Sequence, residues 1–242
     1  MKKYIFLIFP LITAFTALET PLNNTRIFSS GAYDLKTGSP LYREFHEEKF
    51  AGNAIAESVT KYKDLNNNVI AERQMTFGTD ATKPKFILRD FRSGYIEGAE
   101  VIADGRVKVF TRENSNEPLE EKILQVNSPF VIDGGLTHFF LRNWEKLMKG
   151  ETIKFNFITP AKLDYFQFRV SKNGIIDIEG RKGMQVKLEI NSFILRAFVD
   201  PIYVTYDIEN KNILHYKGIS NINGPDGKSY SVEINYLDKD LQ

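Results

Sequence analysis

The chain has 242 residues, 42% of them hydrophobic and 26% charged, and this composition excludes a mainly disordered protein. Its 32 basic and 31 acidic residues nearly cancel, so the charge gives no reason to expect nucleic acid as a partner. The absence of cysteine from the sequence excludes disulfides, thiolate metal sites, a cysteine nucleophile and a lipidated N-terminal cysteine.

The N-terminal residues are arranged like a secretory signal peptide. Lys2 and Lys3 precede an almost wholly apolar run from Tyr4 to Ala17. This run is shorter than the ~20 residues that cross a membrane as a helix, so we expect cleavage near residue 17, with an uncleaved membrane anchor as the alternative. The mature chain, residues 18–242, then has 30 basic and 31 acidic residues and a net charge of −1. The sequence therefore predicts an exported, periplasmic protein that does not span a membrane after cleavage.

Runs of alternating apolar and polar residues recur along the mature chain, which is the two-residue period of a β-strand. Arg73 interrupts the apolar face of the first such run. Turn-forming Gly, Asn and Asp residues separate the runs, and the 19 Phe and 11 Tyr residues suit a β-rich core. The pattern predicts a mainly β fold, a large curved antiparallel sheet or open barrel of roughly a dozen strands. The clearest runs are at residues 69–77, 153–157, 186–191, 202–208 and 232–236.

One segment has the spacing of an amphipathic α-helix instead. From Gly135 to Lys149 apolar residues recur at helical spacing, with Phe140 and Trp144 on the same face, and Gly150 is expected to end the helix. A lone helix among strands is expected to pack on a sheet face or to close a barrel mouth, so we expect Trp144 to be buried. We predict a single β-rich domain over residues 18–242, with residues 112–118 as the candidate for a subdivision.

Motifs of the common catalytic and cofactor sites are missing from the sequence. Its three histidines are not spaced as metal ligands, and no nucleophile elbow, phosphate-binding loop or dinucleotide fingerprint occurs. We therefore predict no metal and no cofactor, and we assign no catalytic residue. Catalysis by scattered carboxylates such as Glu44, Asp164 or Asp200 stays open, since such a pair needs a separation of about 5–10 Å.

The densest group of ionisable residues lies between Glu44 and Glu48. On an extended strand Glu44, His46 and Glu48 project from the same face. Two carboxylates beside an imidazole would raise the pKa of the imidazole or bind a divalent cation. The interpretation that we favour is a solvated strand face without a ligand.

The segment 163–170 alternates between an apolar face and a face formed by Tyr165, Gln167 and Arg169. On that second face Arg169 suits an anionic head group, and Tyr165 suits the apolar chain behind it. We therefore predict a ligand-binding surface formed by Tyr165, Gln167 and Arg169, together with Trp144 from the helix. The alternative is structural, with Arg169 paired to an acidic residue of a neighbouring strand.

The segment Phe193–Pro201 is too apolar for an exposed loop, so we expect it to be buried. Arg196 and Asp200 are its charged residues, and we expect them to pair with each other or to cap a sheet edge. A general-acid role for Asp200 is the less favoured alternative.

Six short strings carry a resemblance that extends over nearly the whole mature chain. They are Tyr33-Asp34-Leu35 with Thr37-Gly38, Leu41-Tyr42-Arg43-Glu44, Asn143-Trp144-Glu145, Leu163-Asp164-Tyr165, Phe198-Val199-Asp200-Pro201, and Ser220-Asn221-Ile222 with Asp226-Gly227-Lys228. In these strings the chain resembles an uncharacterised family of exported proteobacterial proteins, which implies export but no activity. In architecture alone the pattern is similar to periplasmic half-barrel carriers of lipids and lipoproteins, although a single helix is predicted here.

Three classes of function fit the sequence. The leading one is a non-enzymatic periplasmic binding protein for an apolar or amphiphilic, lipid-like ligand, and an internal apolar cavity would favour it. The second is a structural or protein-interaction module of the cell envelope, which a filled core with an exposed aromatic patch would favour. The third is a carboxylate-based hydrolase, which a cleft with paired carboxylates of shifted pKa would favour.

Overall fold

A computed structural model describes residues 24–225 and 227–236 of the chain. The predicted signal peptide, residues 1–17, lies outside the described residues, so its cleavage stays a prediction. The described part is mainly β, as the alternating sequence pattern predicts. It contains fifteen strands rather than roughly a dozen, and two short helices rather than one.

The strands form a single sheet. They are β1 (Asn24–Asp34), β2 (Pro40–Ala51), β3 (Ala54–Lys63), β4 (Val69–Thr76), β5 (Lys85–Asp90), β6 (Ile96–Ala103), β7 (Arg106–Arg112), β8 (Glu120–Gln125), β9 (Phe130–Val131), β10 (Ile153–Thr159), β11 (Asp164–Ile178), β12 (Arg181–Ile190), β13 (Ile202–Asp207), β14 (Ile213–Asn223) and β15 (Ser229–Asn235). Two 3-10 turns, Pro160–Lys162 and Leu195–Ala197, lie between strands.

The order of the strands explains how the sheet curves. From one edge to the other it runs from β8 down to β1, and then from β15 down to β9. Neighbouring strands are antiparallel except β9 and β10, which are parallel. The two edge strands, β8 and β9, are joined only by residues 126–129. Because this connection is short, the sheet must curl until its two edges lie close together.

Most residues of the first of two core clusters belong to strands β1 to β8. On the inner face Tyr42, Tyr62 and Ala71 are almost fully buried, and they belong to adjacent strands. Val232 and Ile234 of β15 join the same cluster, which ties the last strand to the first half of the sheet. Among the described residues, five of the twenty buried members of this cluster are aromatic, and most of the others are aliphatic.

The helices cover the inner face of the second half of the sheet. Helix α1 is Leu136–Arg142 and helix α2 is Trp144–Met148, and they are separated at Asn143. The predicted single helix is interrupted because Asn143 leaves the helical conformation and its side chain donates a hydrogen bond to the Phe139 carbonyl at 2.9 Å. Gly150, at φ +83°, follows the end of α2 in the left-handed conformation that favours glycine.

Trp144 is buried in the second core cluster, with an exposed fraction of 6%. Its ring meets Tyr206 edge to face at 6.5 Å, and Phe140 packs against the same tyrosine. Strands β9 to β13 supply the rest of this cluster, which includes Phe155 and Val186. The predicted burial of Trp144 on the helix face of Phe140 is therefore confirmed.

The two edges of the sheet overlap as in a spiral. Phe155 and Ile158 lie three residues apart on β10 and so point to opposite faces. Phe155 belongs to the second core cluster, whereas Ile158 belongs to the first. The 3-10 turn Pro160–Lys162 contacts β6 and β7, and the Ala161 amide donates a hydrogen bond to the Glu97 side chain. Strand β10 therefore lies between the two core clusters.

The sheet continues across the segment that the sequence marked as a candidate boundary. Strands β7 and β8 lie on either side of residues 113–119 and pair with each other. The domain limits themselves stay a prediction. Neither helix of the described part has the length and apolar character needed to cross a membrane.

Candidate functional site

The most unusual surface of the molecule is the connection between β12 and β13. Its large apolar side chains point into solvent: Phe193 is 84% exposed, Ile194 72% and Phe198 82%. Leu195 and Val199 are also exposed, and we call residues 193–199 the apolar segment. The prediction that this segment is buried is wrong. Single exposed apolar residues are common, but a contiguous group is typical of an interaction surface.

Local hydrogen bonds give the apolar segment its shape. The Arg196 amide donates to the Ser192 carbonyl at 3.1 Å, and the Val199 amide donates to the Leu195 carbonyl at the same distance. These turns use the backbone groups within the segment, which leaves the side chains free to project outward. Two residues before the segment, the Asn191 amide donates a hydrogen bond to the Gln167 carbonyl of β11.

A group of charges lies at the base of the apolar segment. Glu189 Oε2 accepts a hydrogen bond from Arg169 Nη2 at 2.9 Å, and Lys187 Nζ lies 3.3 Å from Glu189 Oε1. Arg196 Nη1 lies 3.8 Å from the same oxygen. Burial raises the pKa of Glu189, but the hydrogen bonds from Arg169 and Lys187 outweigh this effect and hold that pKa below its ordinary value.

Arg196 pairs with Glu189 rather than with Asp200, so the predicted pair within the segment is corrected. Asp200 is exposed. The Arg196 guanidinium lies 5.7 Å from the centre of the Phe193 ring, and its buried Nε has no hydrogen-bond partner among the described residues. This side chain therefore links the apolar segment to the charged base and has a donor left over.

One open recess is lined by the apolar segment, and a second by the residues that directly follow it. The larger, of about 570 Å³, is lined by Glu189, Phe193, Ile194, Arg196, Ala197 and Phe198. The smaller, of about 300 Å³, is lined by Leu35, Asp200, Pro201, Tyr203, Lys217, Gly218, Ile219 and Ser231. Both lie on the outside of the sheet, because Glu189 and Tyr203 alternate with core residues of their strands.

The structure places the four sequence-predicted ligand-binding residues in different surroundings. Arg169 and Gln167 lie at the base of the apolar segment, where Gln167 Oε1 accepts a hydrogen bond from Asn191 Nδ2 at 2.5 Å. Tyr165 packs against the first core cluster, and Trp144 is buried in the second. The four residues therefore do not share one surface.

A second polar group lies inside the sheet and includes Glu44 and His46. Ser30 Oγ donates to Glu44 Oε2 at 3.1 Å, and His46 Nε2 lies 3.1 Å from the same oxygen. His46 Nδ1 is 3.1 Å from Thr60 Oγ1, and its ring stacks on Phe28 with the centres 4.4 Å apart. Burial raises the pKa of Glu44, but the hydrogen bonds from His46 and Ser30 and the nearby positive charges together outweigh burial, so the pKa is lowered. The favoured prediction of a solvated strand face is therefore wrong for Glu44 and His46.

Arg73 extends this interior group toward the helices. Its Nη1 donates to Asp133 Oδ2 at 3.4 Å, and Asn221 Nδ2 donates to the same oxygen at 3.2 Å. Arg73 Nε is buried and lacks a partner within the described residues. The sequence carried a signal for this residue, since Arg73 interrupts an apolar strand face. Its partner Asp133, and Asn221 that binds Asp133, could not be found from the sequence, because they come from distant parts of the chain.

Glu97 lies where the two edges of the sheet overlap, and the pKa of its carboxyl is raised. Burial and the nearby Asp133 carboxylate raise its pKa to about 7, although the Tyr95 hydroxyl and the Ala161 amide both donate hydrogen bonds to it. The hydrogen bond from Ala161 joins β6 to the 3-10 turn at Pro160–Lys162, where the two sheet edges overlap. We interpret Glu97 as a structural link across this overlap. The described residues contain no group of three or more His, Asp or Glu side chains that could hold a metal ion.

Comparison with known proteins shows the fold alone. No protein-family model matches the sequence, and no curated protein matches it. The chain is similar in structure to a crystal structure from Brucella abortus, a beta-barrel-like protein of the domain of unknown function DUF1849. The TM-score is 0.53 and the sequence identity 9%, over 88% of this chain and 98% of that one. The chain therefore has a β-barrel-like fold, and the likeness assigns no activity.

Proposed function

We propose that this protein is a non-enzymatic binding protein of the bacterial cell envelope, exported to the periplasm, and that it holds an apolar or amphiphilic partner at the apolar segment. The observation that carries the proposal is the exposure of five large apolar side chains on one short connection. Burying such side chains against a partner removes apolar surface from water and is favourable.

The same observation changes where the partner is expected to bind. Side chains of the two core clusters pack on the inner side of the sheet, and the exposed apolar segment supports binding at an outer surface. An exposed aromatic patch over packed core clusters favours an interaction module, the second of the three classes that fit the sequence. A lipid-like partner is compatible with this, provided that it is bound from outside.

The interior carboxylates support the hydrolase class less well. Glu97 and Asp133 are close enough for one carboxylate to raise the pKa of the other. Yet Glu97 is engaged by Tyr95 and Ala161, and Asp133 by Arg73 and Asn221. Groups held in this way stabilise the overlap of the sheet edges.

The test uses Nile red, an uncharged dye that fluoresces when it enters an apolar site. We expect the native protein to raise the dye's fluorescence and the double variant Phe193→Ser with Phe198→Ser to lose most of that signal. Phe91→Ser is the matched control, because Phe91 is a single exposed aromatic residue on another turn. Equal signals from all three proteins would overturn the proposal.

A further inference from the structure

We infer that the partner of the apolar segment is the surface of an anionic lipid bilayer, an inference that rests on the proposed function. The charge at the base of the segment is positive. Arg169, Lys187 and Arg196 surround the single carboxylate Glu189, so the base of the segment has two more positive than negative charges. Such a surplus attracts anionic headgroups.

The smaller recess leaves this surplus unchanged. Its ionisable lining residues are Asp200 and Lys217, whose charges cancel. A net positive charge therefore lies directly below the apolar segment. A lipid surface demands the same arrangement, with apolar side chains at the tip and cations one layer behind them at the depth of the headgroups.

Arg196 is the residue that connects the two layers. It lies within the apolar segment, contacts the Phe193 ring and reaches Glu189 only at 3.8 Å. Its Nε has no acceptor within the described part of the chain. That atom is buried, but 26% of the side chain stays exposed. An exposed guanidinium suits a lipid phosphate, since Arg binds phosphate through several parallel hydrogen bonds.

The shape of the segment favours a surface over a single lipid molecule. Phe193, Ile194 and Phe198 project outward, and the larger recess between them is open. One acyl chain in that recess would leave the outer sides of these residues in water. The interface of a bilayer covers all of them at once, which removes more apolar area from water.

The experiment is co-sedimentation of the folded protein with vesicles of phosphatidylcholine alone and with vesicles that also contain phosphatidylglycerol. We expect strong binding only to the anionic vesicles, and weaker binding as salt is added, because salt screens the headgroup charge. The double variant Lys187→Gln with Arg196→Gln keeps the Arg169–Glu189 pair. We expect it to bind about fivefold more weakly for each charge removed.

Two controls separate this inference from a general effect of charge or folding. Lys122→Gln with Lys146→Gln removes the same number of charges from exposed positions elsewhere, and its vesicle binding should stay close to that of the native protein. Phe193→Ser with Phe198→Ser should abolish vesicle binding. Thermal unfolding of each variant shows whether it is folded.

The outcomes distinguish the two proposals. Equal binding to both kinds of vesicle overturns the anionic preference and leaves the proposed function standing. Binding of Nile red without binding to any vesicle overturns the bilayer and points to a protein partner. Anionic vesicle binding that survives the loss of Phe193 and Phe198 overturns the site assigned here.

Discussion

Glu44 Oε2 and His46 Nε2 lie 3.1 Å apart on the inner face of the sheet, where both side chains are buried. The two residues are neighbours on one strand face. Ser30 Oγ donates to the same Glu44 oxygen, and Thr60 Oγ1 lies 3.1 Å from His46 Nδ1. A buried carboxylate with this set of partners is a structural element whose removal leaves polar groups unsatisfied.

We expect Glu44→Gln to lower the free energy of unfolding by about 2–3 kcal/mol, because it replaces the buried carboxylate that Ser30 and His46 contact. Urea unfolding at neutral pH measures the change. The matched control is Glu47→Gln on the same strand, whose side chain is 48% exposed and for which we expect a change within about 0.5 kcal/mol. Similar values for the two variants would contradict the structural role of Glu44.

The pH dependence should follow Glu97, whose pKa of about 7 lies above the ordinary value of 4.5. Between these values the folded protein holds a proton that the unfolded chain releases, so stability falls as the pH rises through this window. From pH 5 to pH 8 we expect this residue to contribute a loss on the order of 2 kcal/mol. Glu97→Gln should flatten the curve, whereas Glu100→Gln on the same strand should not. Parallel curves for Glu97→Gln and the native protein would argue against the raised pKa.

We expect Trp144→Ala to destabilise the protein by about 3–5 kcal/mol, since it leaves a cavity between α2 and the sheet. Thermal and urea unfolding measure the loss. Phe91→Ala removes an aromatic ring that is 56% exposed, and this control should cost far less. An unfolding midpoint for Trp144→Ala within error of the native value would refute the packing described for the second core cluster.

For Arg169→Lys we expect weaker binding of anionic lipid with little change in stability, because the pair with Glu189 is partly exposed. A lysine keeps the charge but loses the planar donor pair that suits phosphate. Vesicle binding and thermal unfolding are measured on the same samples. Arg181→Lys is the control, since Arg181 is also partly exposed and pairs with Asp207. A loss of stability without a loss of binding would assign Arg169 a purely structural role.

Much of the fold could be predicted from the sequence, because alternation and turn residues are local properties. The run from Ile153 to Phe157 is a strand, and the helix face of Phe140 and Trp144 is buried. The interruption at Asn143 was missed, since a single asparagine is compatible with a continuous helix. The strand count was low because several short strands carry weak alternation, such as β8 and β9.

The candidate site was harder to predict. Alternation shows that Glu44 and His46 share a face but not that this face is the inner one. The apolar composition of the segment predicts that Phe193 and Phe198 are buried, whereas the fold leaves both exposed. The cations around Glu189 come from three separate segments, and their meeting depends on strand register, which the sequence alone does not supply.

The place of β1 beside β15 has a consequence for how the sheet assembles. Among the described strands, this is the one neighbouring pair that is not consecutive in the chain. Because the chain is synthesised from β1 to β15, the edge of β1 that pairs with β15 stays unpaired until the last strand has been made. A circularly permuted chain that starts between β8 and β9, with residue 236 linked to residue 24, would list all fifteen strands in spatial order. Every strand pairing would then be local, and folding should become faster because contacts of short sequence separation form sooner.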